Sequence, residues 1–67
     1  MKLVVHKEDD ALYLRLDETP IVELEEFSDG IIPDCNAEGK VIDIEVLYVS
    51  QRSHNSWQQI RLETITS

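Results

Sequence analysis

Sixty-seven residues with fourteen acids, six bases and one cysteine make one small acidic domain of formal net charge −8. A chain this short buries only about 60% of its unfolded surface, so its core is thin. A single cysteine excludes a disulfide framework, no Cys/His spacing suggests a structural zinc, and no apolar run nears the ~20 residues of a membrane span.

The opening Met1-Lys2-Leu3-Val4-Val5-His6 reads as a strand over 2–6. It is too short for a signal peptide and has no apolar h-region, so the cytoplasm is the expected compartment. Lys7-Glu8-Asp9-Asp10 is a polar turn. Residues 11–16 carry the clearest strand pattern, with Leu12, Leu14 and Leu16 alternating with Tyr13 and Arg15. Asp17-Glu18-Thr19-Pro20 is a turn whose proline has no N–H for a ladder. A third strand is expected over 21–27, and Phe27 breaks the phase of Val22 and Leu24, which suggests a bulge near Glu25-Glu26. Ser28-Asp29-Gly30 is a tight turn. A short strand over 30–35 carries Pro33, which argues for an edge or irregular position. Asn36-Ala37-Glu38-Gly39 closes a hairpin into the longest strand, 41–49, where Ile42, Ile44 and Val46 share a face.

These elements predict a mainly β fold, a small antiparallel meander of about five strands, because short turns favour antiparallel neighbours. Residues 1–50 form the domain, with Leu12, Leu14, Leu16, Ile42, Ile44 and Val46 as the expected core. Residues 51–67 form a tail with three open readings. Ser56-Trp57-Gln58-Gln59 fits a capping box and a short C-terminal helix. Ile60, Leu62 and Thr64 fit a strand, and a disordered tail fits as well.

The charge is uneven: ten acids and one base, Lys40, lie between Asp17 and Glu45. Such a surface repels phosphate backbones, so no direct nucleic-acid binding is expected. It attracts cations or a basic protein, or simply keeps a small sheet in solution.

Asp34, Asn36, Glu38 and Glu45, with Gly39, nearly fit the calcium loop D-x-[DN]-x-[DN]-G-x5-E. Both flanks read as strands where that loop needs helices, so a hairpin turn capped by its own Asp and Asn explains the same residues. Catalysis has less support. His54 lies among Ser50, Ser53 and Ser56 in one polar stretch, whereas a triad is assembled across a fold. Glu25 and Glu26 have little chain to build a cleft around them. Cys35 sits beside Asp34, which raises a thiol pKa rather than activating it. Tyr13 and Trp57 are candidate interface anchors, with cross-strand packing the plainer role for Tyr13.

Three runs carry a resemblance: Asp10-Ala11-Leu12-Tyr13-Leu14-Arg15-Leu16; Asp29-Gly30-Ile31 followed by Asp34 and Gly39; and Ile42-Asp43-Ile44-Glu45-Val46-Leu47, ending at Ser50. In this order and spacing, over roughly residues 1–51, the chain resembles the prokaryotic domain of unknown function number 2283. The resemblance implies a single-domain β protein with no assigned activity or catalytic residue. Some members are thought to be encoded beside small toxin-like proteins, which implies an antitoxin-like binding role. Tyr48-Val49-Ser50 stands where the pattern has Asp/Glu-Ala-Ser, and the tail after Gln51 differs from the usual short basic end.

The expectation is therefore a small binding module rather than an enzyme, with no cofactor. It is expected to engage a basic protein, and a homodimer is expected because small chains often gain stability by oligomerising. The alternative is a calcium- or metal-dependent factor using Asp34, Asn36, Glu38 and Glu45.

Overall fold

The computed structural model describes residues 1–24 and 27–66. Five strands form one sheet: β1 (Lys2–His6), β2 (Ala11–Arg15), β3 (Glu23–Leu24), β4 (Ile31–Cys35) and β5 (Val41–Val46). Their order is β1-β2-β5-β4-β3, and every neighbouring pair is antiparallel. The expected mainly β, five-stranded antiparallel sheet is therefore present. The expected strand at 21–27 is present at Glu23–Leu24, and the bulge expected near Glu25-Glu26 lies outside the described residues.

The connectivity departs from hairpin following hairpin. β1–β2, β3–β4 and β4–β5 are hairpins, but β2 pairs with β5 rather than β3, the strand arrangement of a Greek key. Residues 16–22 make the crossing. Both Leu16 N and Asp17 N donate to Ile42 O, at 2.8 and 3.3 Å, and Val22 N donates to Cys35 O at 2.9 Å. Passing two strands spans about 14 Å at ~4.8 Å per strand, and seven extended residues reach about 23 Å. The Asp17 carboxylate holds the start of this loop by accepting from Glu18 N and Thr19 Oγ1.

Local chemistry explains the turns. Asp29 and Gly30 both have positive φ, and Ile31 N donates to Ser28 O at 2.8 Å; a two-residue Asp-Gly loop of this hand matches the twist of its flanking strands. In the β4–β5 turn, Asn36 Oδ1 accepts from Glu38 N and Lys40 N. Between β1 and β2 a 3-10 turn (Lys7–Asp9) ends on Asp10 in the left-handed region.

Four expectations need correction. Pro33 is not on an edge: β4 lies one strand in, with Pro33 opposite Ile44, and the irregularity falls one residue on, at a register shift between Asp34 and Cys35. β5 ends at Val46, because Tyr48 turns into the left-handed region and Val49 opens a 3-10 turn. The capping box does not form: Ser56 Oγ bonds Ser53 instead, and the turn stops at Gln58. Three residues are too few to repay helix nucleation. Finally, of the six expected core residues only Ile42 is buried, alongside Ala11 and Val49. Leu12, Leu14, Leu16, Ile44 and Val46 are half-buried, because a single-layer sheet leaves one face without a covering layer. Among the described residues no helix is long and apolar enough to cross a membrane.

Candidate functional site

The register sorts the side chains into two contrasting faces. Residues directly opposite one another share a face. One face carries the rungs Leu3–Leu14–Ile44–Pro33 and Val5–Leu12–Val46–Ile31, all eight apolar. The other carries Val4–Tyr13–Glu45–Ile32 and Lys2–Arg15–Asp43–Asp34. Alternation along each strand was legible; which alternate residues meet across strands depends on the β2–β5 pairing.

The second face holds the densest chemistry. Asp34 has no exposed surface and Asp43 is 5% exposed. Arg15 reaches Asp43 Oδ2 at 3.6 Å and Glu18 at 3.8 Å, and donates to Thr19 O at 2.8 Å. Among the described residues, both oxygens of Asp34 and Oδ1 of Asp43 have no hydrogen-bond partner. Burial, then the adjacent Asp34 carboxylate and the charge of Asp43, push the Glu45 carboxyl up to about 7. Once protonated, Glu45 supplies an O–H donor to the buried Asp34 beside it. Burial and the negative charge of Glu45 likewise raise the Tyr13 phenol above its ordinary value, and His6 packs edge-on against that ring, 5.2 Å between centroids.

The calcium-loop residues do not converge. Asp34 and Glu45 meet through the sheet, as cross-strand neighbours. Asn36 turns its oxygen into its own turn, and Glu38 is exposed beside Lys40, 4.0 Å away. Asp43, absent from that motif, stands directly opposite Asp34; its alternation with Ile42 and Ile44 was the available signal. A second cluster also escaped sequence reasoning: His6, Glu8 and Asp9 bring ligand atoms within 4.8 Å of one another at the β1 end, with Glu8 and Asp9 exposed.

The candidate nucleophiles are engaged elsewhere. Ser50 donates its hydroxyl to Asp10 Oδ2 at 2.7 Å, and Ser53 and Ser56 bond one another at 2.9 Å. Cys35 is half-buried and free. Trp57 donates its indole N–H to Asp10 Oδ1 at 3.0 Å. Asp10 therefore joins three segments: it also accepts from Ser50 N at 2.8 Å, and its backbone carbonyl accepts from Val49 N. The Ser50 hydroxyl is the main reason that the Asp10 carboxyl is held below its ordinary pKa.

The acidic exterior is smaller than the count of acids suggested. Asp34 and Asp43 are buried and Glu45 half-buried, whereas Asp17, Glu18, Glu23, Asp29 and Glu38 are exposed; Glu25 and Glu26 lie outside the described residues.

Residues 2–50 match the model of a family described as a protein of unknown function, DUF2283. The chain belongs to this family. The DUF2283 match runs from the first residue of β1 to Ser50. Its last residue is thus the one that closes on Asp10. Comparison with the curated proteins and with the solved structures gives no match.

Proposed function

We propose that this DUF2283 domain is a non-enzymatic binding module that engages a basic protein through the acidic end of its sheet. One observation carries the reading. A shallow hollow of about 250 Å³ lies between Thr19, Pro20 and Val22 on one side and Asn36, Ala37 and Glu38 on the other. The exposed carboxylates of Asp17, Glu18, Glu23 and Glu38 belong to the same end, where the Asn36 side chain bonds Thr19 at 3.2 Å and Glu23 stands opposite Cys35. Lys2 and Lys40 offset part of this charge through exposed pairs with Glu18 and Glu38 at 3.8 and 4.0 Å, and such pairs are weak. A cationic side chain laid in the hollow would meet apolar walls and a negative rim. The hollow is below the ~300 Å³ at which clefts begin to enclose small molecules, a size that suits one side chain of a partner. An antitoxin-like role, in which a small acidic protein occupies a basic one, is one form of this reading.

The test is association kinetics with a purified basic partner captured at low salt. Rates should fall as salt rises, because the Debye length shrinks from about 10 Å at 0.1 M to about 3 Å at 1 M. Glu18→Lys, Glu23→Lys and Glu38→Lys together should slow association; rates indifferent to salt and to these reversals would reduce the acidity to a solubilising role. The metal-dependent reading retains one supporting observation, the two oxygens of Asp34 that have no partner among the described residues. A ligand that binds only the folded state stabilises it by RT ln(1 + [L]/Kd), so a melting temperature unchanged at millimolar calcium would remove that reading.

A further inference from the structure

We infer that the apolar face of the sheet is the seam of a face-to-face homodimer. Its eight positions, Leu3–Leu14–Ile44–Pro33 and Val5–Leu12–Val46–Ile31, carry no charge and no polar side chain. Leu3 and Val5 are 45% and 46% exposed, and the other six are half-buried. A sheet with one apolar face reaches a stable architecture by meeting a second layer. Among the described residues the chain supplies none: beyond the strands it forms only 3-10 turns, and residues 59–66 are exposed.

The areas agree with a missing layer. The chain exposes 5292 Å², whereas a folded monomer of 7.7 kDa is expected to expose about 4,300 Å². The excess is about 1,000 Å², shared between the exposed residues 59–66 and the open sheet face. The face alone therefore offers less than the ~800 Å² of one side of a standard interface, the size of a weak, reversible association. The radius of gyration, 13.1 Å, likewise exceeds the roughly 11 Å of a compact chain of this length.

A second copy fits this face in kind. A four-strand apolar patch is self-complementary about a two-fold axis, which is the commonest symmetry of soluble oligomers. Two such sheets pack about 10 Å apart as the layers of a sandwich. The buried and half-buried carboxylates Asp34, Asp43 and Glu45 point to the opposite face, so the seam encloses none of them. The inference goes beyond the acidic-partner reading and is independent of it, because the charge reversals at Glu18, Glu23 and Glu38 leave the eight seam positions untouched.

The experiment is sedimentation equilibrium of the 67-residue chain over a wide concentration range, with circular dichroism to check the fold. The expected result is a reversible dimer. Val5→Lys and Leu3→Lys sit on the outer strand at positions already open to solvent, so each variant should keep the sheet spectrum. Each places two new ammonium groups in a two-fold seam and should raise the dimer dissociation constant about tenfold or more. Leu62→Lys and Ile65→Lys, on the exposed tail, should leave it unchanged. A monomer at every concentration would overturn the inference. So would a dimer indifferent to Val5→Lys and Leu3→Lys, or one lost in Leu62→Lys and Ile65→Lys, which would make the tail the occupant.

Discussion

Asp34, Asp43 and Glu45 crowd three carboxylates onto one sheet face with Arg15 as the neighbouring cation. Burying carboxylates without donors is costly, and a proton on Glu45 removes one of the three charges and supplies a donor. The pH dependence follows. Glu45 titrates near 4.5 when unfolded and about 7 when folded. Between those values the folded state holds a proton that the unfolded chain has released, so stability is fully present below 4.5 and declines as pH rises to about 7. Asp10 works in the opposite sense: Ser50 depresses its folded pKa, so its contribution is present above the ordinary carboxylate value and is lost as pH falls. Stability should therefore peak in mild acid, as denaturant unfolding across pH 3–8 would read. Glu45→Gln should flatten the decline toward neutrality and gain about 1 kcal/mol at pH 7.5, a discounted figure because Glu45 is partly open to solvent. A decline that persists in Glu45→Gln would assign it to other groups. Gly30 is constrained twice over. Its φ is +73°, and an added Cβ would lie 2.8 Å from the Tyr48 ring. Gly30→Ala should cost about 1–3 kcal/mol, more than Gly39→Ala, where φ is +80° but the space is open. Equal costs at the two glycines would show that the ring yields freely.

The strands owe their stability to cross-strand rungs rather than to a deep core. β5 is central, pairing β2 on one side and β4 on the other, and Ile42 at its start is almost wholly buried. Leu14 lies between Leu3 and Ile44 in an apolar rung but is only half-buried. Leu14→Ala in the dilute chain should therefore cost about 2 kcal/mol, the low end of the 2–5 kcal/mol range for leucine truncation. A loss near 5 kcal/mol, measured by urea unfolding, would mean that the face is covered even at low concentration. The tail is tied down near its start by Arg52, which donates to Leu47 O at 2.9 Å and pairs with Asp29 Oδ2 at 3.3 Å, and further on by Trp57, through Asp10. Asp10→Asn should weaken that tie and lower the melting temperature, with the Trp57 fluorescence shifting toward a more exposed emission.

Taken as one body, the molecule is an acidic slab with extents of 37 × 32 × 19 Å. A net charge of −8 repels itself across so small an object and opposes compaction. Raising ionic strength from 0.01 to 0.1 M shortens the Debye length from about 30 to about 10 Å, and the melting temperature should rise over that interval. A melt insensitive to salt would show that the local pairs of Lys2, Arg15, Lys40 and Arg52 already balance the field. If two slabs join through the apolar face, the melting temperature also rises with protein concentration, because association acts only on the folded state.

Strands and turns were legible because their causes are local. Alternation at Leu12–Leu14 and Ile42–Ile44, the Asp29-Gly30 turn and the Asn36–Gly39 turn each act within a few residues. Period two also revealed which residues share a side of a strand. It could not show that β2 skips β3 to join β5, since that choice rests on a seven-residue crossing and on pairing between distant segments. The β4–β5 hairpin set Asp43 opposite Asp34, whereas the β2–β5 pairing completed the candidate site: it set Arg15 opposite Asp43 and Tyr13 opposite Glu45, and it brought Asp10 to Ser50, 40 positions away. It also decided that the six expected core residues, correct in phase, would mostly stay half-exposed. Alternation reports the face on which a side chain lies, while burial depends on whether a second layer covers that face, and that is a property of the tertiary arrangement alone.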